Sequence, residues 1–245
     1  MTVPSDAQYD ALAAETGDTR EWVMAQKWED ILFAHYRYEP SALRALVPSQ
    51  LEIQVRDGAA WVSVVALRMA HLRLRIAKYL PLLEPFPELN LRTYVTFEGK
   101  PGVWFFRIEA SSRLAVDIAR DVFFAPYVHA QLSMADKTTP TVFTCGANAC
   151  IASLEYAGEG EPISLPPGSL ELFLTERYSL YTVHDTTGQL YCGDIHHSPW
   201  TLRHANATVV ANPFVTAAGL PVPDGPPTVL ASSGTSTVVW WPEKV

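Results

Sequence analysis

The stretch PFPELNLRTYV places Glu88, Asn90, Arg92 and Tyr94 at alternate positions. Side chains alternate faces along an extended segment, so a carboxyl, an amide, a guanidinium and a phenol share one side. Such a set can hold a small anion. A guanidinium offers a planar fork to a carboxylate, and the other three groups can orient what it holds. Arg120 and Arg177 also stand among aromatic and aliphatic neighbours, with Asp121 and Glu176 beside them in sequence. A buried arginine must be paired, because an uncompensated charge inside costs several kcal/mol. Two arrangements satisfy that need: an ion-pair network within the protein, or a pocket whose arginines receive a ligand carboxylate. Periodicity alone also allows a half-buried strand with one wet face.

Other chemistries find less support. His196 and His197 are adjacent, so on a strand they point to opposite faces and cannot share a metal. Asp194 and His196 share a face, with His184 nearby, but no HExxH or cysteine framework accompanies them. His197 pairs more naturally with Tyr178 as a hydrogen-bonded group. No GxSxG elbow marks a serine nucleophile. No glycine-rich loop is built for phosphate, because GEGEP is acidic. Amine catalysis needs a desolvated lysine. Of Lys27, Lys78, Lys100, Lys137 and Lys244, two fall at predicted turns, one at the chain end, one beside the first strand and one in a crossover. No metal or organic cofactor is expected.

The elements that must position these residues are mainly strands. Trp28–Tyr38 predicts a first core strand, and Ser41 caps a short helix. Residues 50–69 predict a hairpin turning at Asp57-Gly58, a dipeptide suited to primed turns. Residues 71–87, interrupted by prolines, predict a flap or crossover over one mouth. A central hairpin turns at Gly99–Gly102. Ser111 or Ser112 caps a helix on which Leu114, Ile118 and Val122 recur. Further strands follow near Tyr127–Met134, Thr141–Cys145 and Cys150–Tyr156, with a turn at Asp136-Lys137, and Ser169 caps LELFLTE. A two-residue turn at Thr187-Gly188 sets Tyr178 opposite His197. Residues 212–230 read as loop, and STVVWWP as a last strand. Residues 1–22 read as a mobile arm or short surface helix, and 23–245 as one domain. Most neighbouring strands are joined by hairpin-length turns. A meander this long closes into a barrel or splits into packed sheets.

Composition sets bounds. The 245 residues carry 26 acidic and 18 basic side chains, a net charge of −8, which argues against nucleic acid or an anionic membrane as partner. At 48% hydrophobic and 18% charged the chain is globular. No apolar run approaches the roughly 20 residues of a membrane span, and no signal peptide is visible. Three sparse cysteines fit a reducing compartment, so a cytoplasmic location is expected.

The motifs WEDILFAHYRY, FPELNLRTYV, KPGVWFFRIEASSRLAVDIAR, APY, LTERYSLY and HHSPW, in that order over residues 26–241, resemble the YqjF-like family of uncharacterised bacterial proteins. That family is similar to the acetoacetate decarboxylase-like superfamily. The resemblance implies a mainly β (α+β) fold: a closed antiparallel barrel with a ligand cavity and a few short peripheral helices. Glu88 resembles the decarboxylases' acidic residue, and Ala119-Arg120-Asp121 resembles the start of their Gly-Arg-Glu stretch. Where they carry the catalytic lysine, this chain has Tyr127, followed by Val128. The expectation is therefore a protein that binds a small carboxylate-bearing molecule without a Schiff-base lysine. Arg92 and Arg120 hold the anion, Glu88, Tyr94 and Tyr127 orient it, and Glu176, Arg177, Tyr178 and His197 complete the site. Whether it catalyses a lyase-like or hydrolase-like reaction stays open, as does homo-oligomer formation. The alternative is a non-enzymatic interaction module whose polar cluster only stabilises the barrel.

Overall fold

A computed structural model of the chain describes residues 4–76, 84–135, 141–147 and 150–245. Among them, the elements run α1 (Asp6–Ala14), β1 (Met24–Tyr38), α2 (Pro40–Leu43), a 3-10 turn (Arg44–Leu46), β2 (Glu52–Ile53), β3 (Ala60–Leu74), β4 (Phe86–Phe97) and β5 (Lys100–Ala110). Then come α3 (Arg113–Phe123), β6 (Tyr127–His129), β7 (Leu132–Met134), β8 (Thr141–Ala147), β9 (Cys150–Glu159), α4 (Leu170–Thr175) and β10 (Ser179–Val183). The chain ends with β11 (Leu190–His197), β12 (Leu202–Val210), α5 (Asn212–Ala217), β13 (Thr228–Val239) and β14 (Glu243–Lys244). The architecture is mainly β with few, short helices.

The strands form one sheet in the order β14-β11-β10-β5-β4-β3-β1-β13-β12-β9-β8-β7, and a further β11–β13 pairing links the two ends of the path from β11 to β13. Two pairings are parallel, β5–β10 and β5–β6, where hairpin-length turns predict antiparallel neighbours. Both faces of the central strands are buried. On one face Leu32, Val64, Leu89 and Leu91 pack with Phe143, Leu154 and Phe214 into a dry core. On the other, Ile31, Phe33, Val65 and Leu67 pack with Val116 and Trp200. The apolar side of β4 therefore meets β9 and α5, and helix α3 sits on the opposite side, over the polar row. Ser112 Oγ accepts from the Ala115 amide at 3.4 Å and starts α3 as expected, and Ser169 caps α4 in the same way.

Two irregularities bend the long strands. Asp30 has φ 50°, and beside it the β1–β3 register slips by one residue, from Glu29–Arg68 to Leu32–Ala66. Gly234 has φ +121°, and a Cβ there would lie 1.9 Å from the Trp28 carbonyl oxygen, so glycine is required. In β5, Phe106 is the extra residue between the Arg92–Phe105 and Leu91–Arg107 pairs. Such bulges add bend and twist and re-aim side chains.

Several expectations are corrected. Of the two alternatives for residues 1–22, a short helix forms at 6–14, but docked and not as a mobile arm: Tyr9, Leu12 and Trp22 are buried against Ala25, Val238 and Trp240. Arginines of the expected flap hold it there, Arg73 on Asp6 at 2.9 Å and Arg75 on Asp10 at 2.6 Å. Positions 77–83 of that flap, Lys78 included, and the turn at 136–137 lie outside the described residues. Asp57 and Gly58 both adopt positive φ as a primed turn requires, but β2 pairs with β4, because both edges of β3 are occupied by β1 and β4. Glu98-Gly99 makes the central turn, two residues earlier than predicted. Helix α2 opens on Pro40 after Glu39, not on Ser41. Tyr178 aligns with Ile195, two residues from the expected register, because the β10–β11 loop spans His184–Gln189. Strand β12 and helix α5 occupy stretches without a predicted element.

Candidate functional site

A cavity of about 120 Å³ lies on the α3 side of the sheet. Its walls come from β1, β3, β4, β5, β11 and β13, with α3, the start of β6 and the segment after α4. Trp28, Phe33, Leu67, Phe105 and Trp200 make it largely apolar. The bulge at Asp30 lets Trp28 and Ile31 both face inward, and the one at Phe106 does the same for Phe105 and Ile108.

Glu88, Asn90 and Arg92 line this cavity from one row of β4. Glu88 is 4% exposed. Its Oε2 accepts from the Tyr127 hydroxyl at 2.8 Å and its Oε1 from the Asn90 amide at 3.1 Å. Burial raises the Glu88 pKa, and these two hydrogen bonds only partly offset it. Burial, reinforced by Glu88, also raises Tyr127 well above its ordinary value. One end of the cavity is thus a hydrogen-bonded carboxyl–phenol pair.

Arg92 and Arg177 stand at another part of the wall. Arg92 Nη2 donates to the Leu174 carbonyl at 3.2 Å, and its Nε is buried without a partner, as are Nε and Nη2 of Arg177. No carboxylate among the described residues forms an ion pair with either. Aromatic faces receive part of the charge: Arg177 lies 4.4 Å from the Phe173 ring centre and 5.2 Å from that of Tyr94, and Arg92 lies 5.7 Å from Phe33. Burial, with Arg92 adding repulsion, lowers Arg177 to about 10, against the opposing pull of Tyr94.

Behind the arginines runs a buried hydrogen-bond chain. The Tyr94 hydroxyl donates to the Leu174 carbonyl at 2.7 Å. Ser63 Oγ lies 2.6 Å from Tyr94 and 2.6 Å from His35 Nδ1. One proton per hydroxyl means that Ser63 donates to Tyr94 and His35 Nδ1–H donates to Ser63. The His35 Nε2 lone pair is left buried without a partner. Burial and then Arg92 hold His35 neutral, with its pKa pulled down to about 3. Leu174 therefore accepts from both Tyr94 and Arg92, which ties the chain to the guanidinium.

His197 also faces the cavity. Its Nδ1 donates to the Ser198 carbonyl at 2.9 Å, and its ring packs 4.7 Å from Trp200 and 4.8 Å from Tyr178. Burial lowers its pKa, outweighing the Ser198 bond that raises it. Glu176 is turned away, accepting from the Trp200 amide at 3.0 Å and from the Tyr178 hydroxyl. Tyr178 is 36% exposed and lies outside the cavity wall. Arg120 does not join Arg92. It lines a separate outer cleft with Asp121, because α3 turns Ala119 and Phe123 to the cavity and Arg120 and Asp121 to the other side.

Glu88, Arg92, Tyr127, Arg177 and His197 are thus brought together, with Tyr94 directly behind them. Arg120, Glu176 and Tyr178 are not. His35, Ser63, Trp28 and Trp200 belong to the same assembly without having been singled out in the sequence. The parity shared by Phe33 and His35 was the available signal for His35. Among the described residues no group of three or more histidine, cysteine or acidic side chains is placed to hold a metal ion. No described lysine lines the cavity. Lys27, on β1 and not merely beside it, pairs with Glu29 at 2.7 Å, Lys100 pairs with Asp194 at 2.6 Å, and Lys244 is exposed on β14. No described helix is long and apolar enough to cross a membrane.

Known proteins resemble this chain at two levels. Solved structures share the fold. The acetoacetate decarboxylase of Legionella pneumophila superposes with a TM-score of 0.67 at 13% identity, covering 93% of this chain and 89% of that one. The enduracididine biosynthesis enzyme MppR complexed with pyruvate superposes with a TM-score of 0.66 at 14% identity, covering 94% and 93%. The uncharacterized protein YqjF of Bacillus subtilis (strain 168) is 40% identical over 225 residues, which is 90% of this chain and 91% of that protein. Residues 25–236 match DUF2071, described as an uncharacterized conserved protein. The chain belongs to the DUF2071 family and has an acetoacetate decarboxylase-like fold.

Proposed function

We propose that the protein binds a small carboxylate-bearing molecule in the apolar cavity, with Arg92 and Arg177 as the anion holders. The observation that carries this reading is the pair of guanidiniums turned on that cavity without a carboxylate partner among the described residues. Buried charge of that kind is costly until something neutralises it. In this reading Arg177 takes the place expected for Arg120. Glu88, Tyr127 and His197 orient the far end of the ligand, and the chain from His35 through Ser63 to Tyr94 fixes the arginines. We read the linked path from β11 to β13 as a closed barrel around the site, and residues 23–245 as its domain. Size supports a small ligand: about 120 Å³ is below the roughly 300–1,000 Å³ of pockets for drug-sized molecules. Pyruvate, bound by MppR, is the first candidate. Cys145 and Cys192 are in no disulfide among the described residues, which fits a cytoplasmic location.

A Schiff-base mechanism is not part of this reading, since a phenol at position 127 forms no iminium. Calorimetric titration with pyruvate, acetoacetate and propionate is the test. Binding by at least one acid is expected, together with a loss of ten-fold or more in Arg92→Met and in Arg177→Met. Equal affinity in both variants would overturn the assignment. Borohydride treatment with either oxo acid is expected to leave the protein's mass unchanged. A lysine adduct would restore amine catalysis as the better explanation.

A further inference from the structure

We infer that the cavity is reached through the outer cleft beside β5, with Phe105, Ala125 and Tyr127 as the partition. The ring of strands is weakest there. β5 and β10 are joined only at Leu180–Val103 and Tyr181–Trp104, and β6 takes over at Ile108–Tyr127. Between those points Phe105, Phe106 and Arg107 face no strand on that edge. By contrast the β1–β3 ladder runs from Met24–Leu74 to Tyr38–Ala60. The extra residue of the bulge, Phe106, falls in this gap.

A cleft of about 850 Å³ sits on the gap, bounded by the end of α3, the start of β6 and the end of β10. Phe105, Ala125 and Tyr127 line both the cleft and the inner cavity, so the wall between them is one side chain thick. Ala125 contributes only a methyl group to it. At the rim, Arg107 is neutralised by Glu109 at 2.6 Å. Arg120 is exposed and makes no ion pair or hydrogen bond with any described residue. Asp121 and Asp185 line the same cleft, so the rim carries charge of both signs. A wide vestibule before a small chamber also places size selection at the partition.

Accessibility of a thiol on the far wall tests this without any native ligand. A failure of the carboxylate reading and a failure of this route are therefore separable. Leu67→Cys puts a thiol on β3 inside the cavity. Its reaction with anionic sulfonatoethyl and cationic aminoethyl methanethiosulfonate is followed by mass spectrometry, against the unsubstituted protein as background. Adding Ala125→Trp is expected to slow both reagents ten-fold or more. Ala125→Phe replaces the tryptophan variant if thermal unfolding shows that variant misfolded. Unchanged labelling with the bulky residue at 125 would overturn the inference. So would slowing by Ala115→Trp instead, on the α3 face, or a Leu67→Cys thiol that never reacts in the folded protein.

Discussion

Two arginine clusters in this protein face opposite situations. Arg20, 37% exposed, meets Asp18 at 2.6 Å, Asp194 at 3.0 Å and Glu243 at 2.6 Å, and these carboxylates tie the N-terminal segment to β11 and the C-terminal strand. Asp194 also receives Lys100 and Ser179. Arg92 and Arg177 are deeper and meet only a carbonyl and aromatic rings. Where water is at hand the protein supplies three carboxylates. Around the half-buried pair, the described residues supply none. The first pattern serves architecture, and in the function we propose the second receives a ligand carboxylate.

The comparison breaks most readily at the inner pair. Replacing both arginines, as Arg92→Met with Arg177→Met, is expected to weaken carboxylate binding more than 100-fold in calorimetry. The same change should leave ligand-free stability equal or raise it, by up to about 1–4 kcal/mol in urea unfolding, because buried charge gives way to apolar volume. A clear loss of stability would show that the inner arginines are structural after all. At the outer cluster the sign reverses. Asp194→Ala should lower stability by about 1–2 kcal/mol, since charged and hydroxyl donors lose their acceptor.

Acidity sharpens the contrast. The Glu88 pKa is raised in the folded protein, chiefly by burial. The folded state therefore keeps a proton that the unfolded chain releases at about pH 4.3, and stability falls as pH rises from there to the folded value. Glu88→Gln should flatten that slope. The Asp194 pKa is lowered because bonds from Lys100, Arg20 and Ser179 outweigh its burial. Its contribution is present above about pH 3.9 and is lost on acidification, and Asp194→Asn should remove that loss. Guanidine-free unfolding curves in urea at stepped pH separate the two. The smallest effect is salt: 1 M sodium chloride should shrink the Asp194→Ala difference by a few tenths of a kcal/mol, and barely change the Glu88→Gln one.

What could be read from the sequence was whatever stays local. The row Glu88, Asn90, Arg92 alternates without interruption, so its common face was visible, as was the cap at Ser112. The bulges at Asp30 and Phe106 were not, because nothing in WEDIL or WFFRI marks where alternation resets. Arg120 and Arg177 look alike in sequence, each beside an acid and among apolar neighbours. Which one faces inward depends on the last turn of α3 and on the segment after α4, both set by long-range packing. The partner of β2 was hidden for a similar reason: a good turn at Asp57-Gly58 predicts a hairpin, but β3 already had two neighbours. The pairing of Tyr178 with His197 survives a register shift of two because aromatic rings still reach across a diagonal.

The pairing of β1 with β13 has a consequence for how the chain is made. The first long strand pairs with one that begins at Thr228. At about 5–20 residues per second, a ribosome needs roughly 10–40 s to supply that partner. Until then one edge of β1, carrying Ile31, Leu32 and Phe33, has no strand to bond, and open apolar edges invite pairing between nascent chains. The β1–β13 pairing thus comes late and closes a long stretch of chain, which predicts slow refolding. Chains truncated before residue 228 are expected to aggregate when the full-length protein does not.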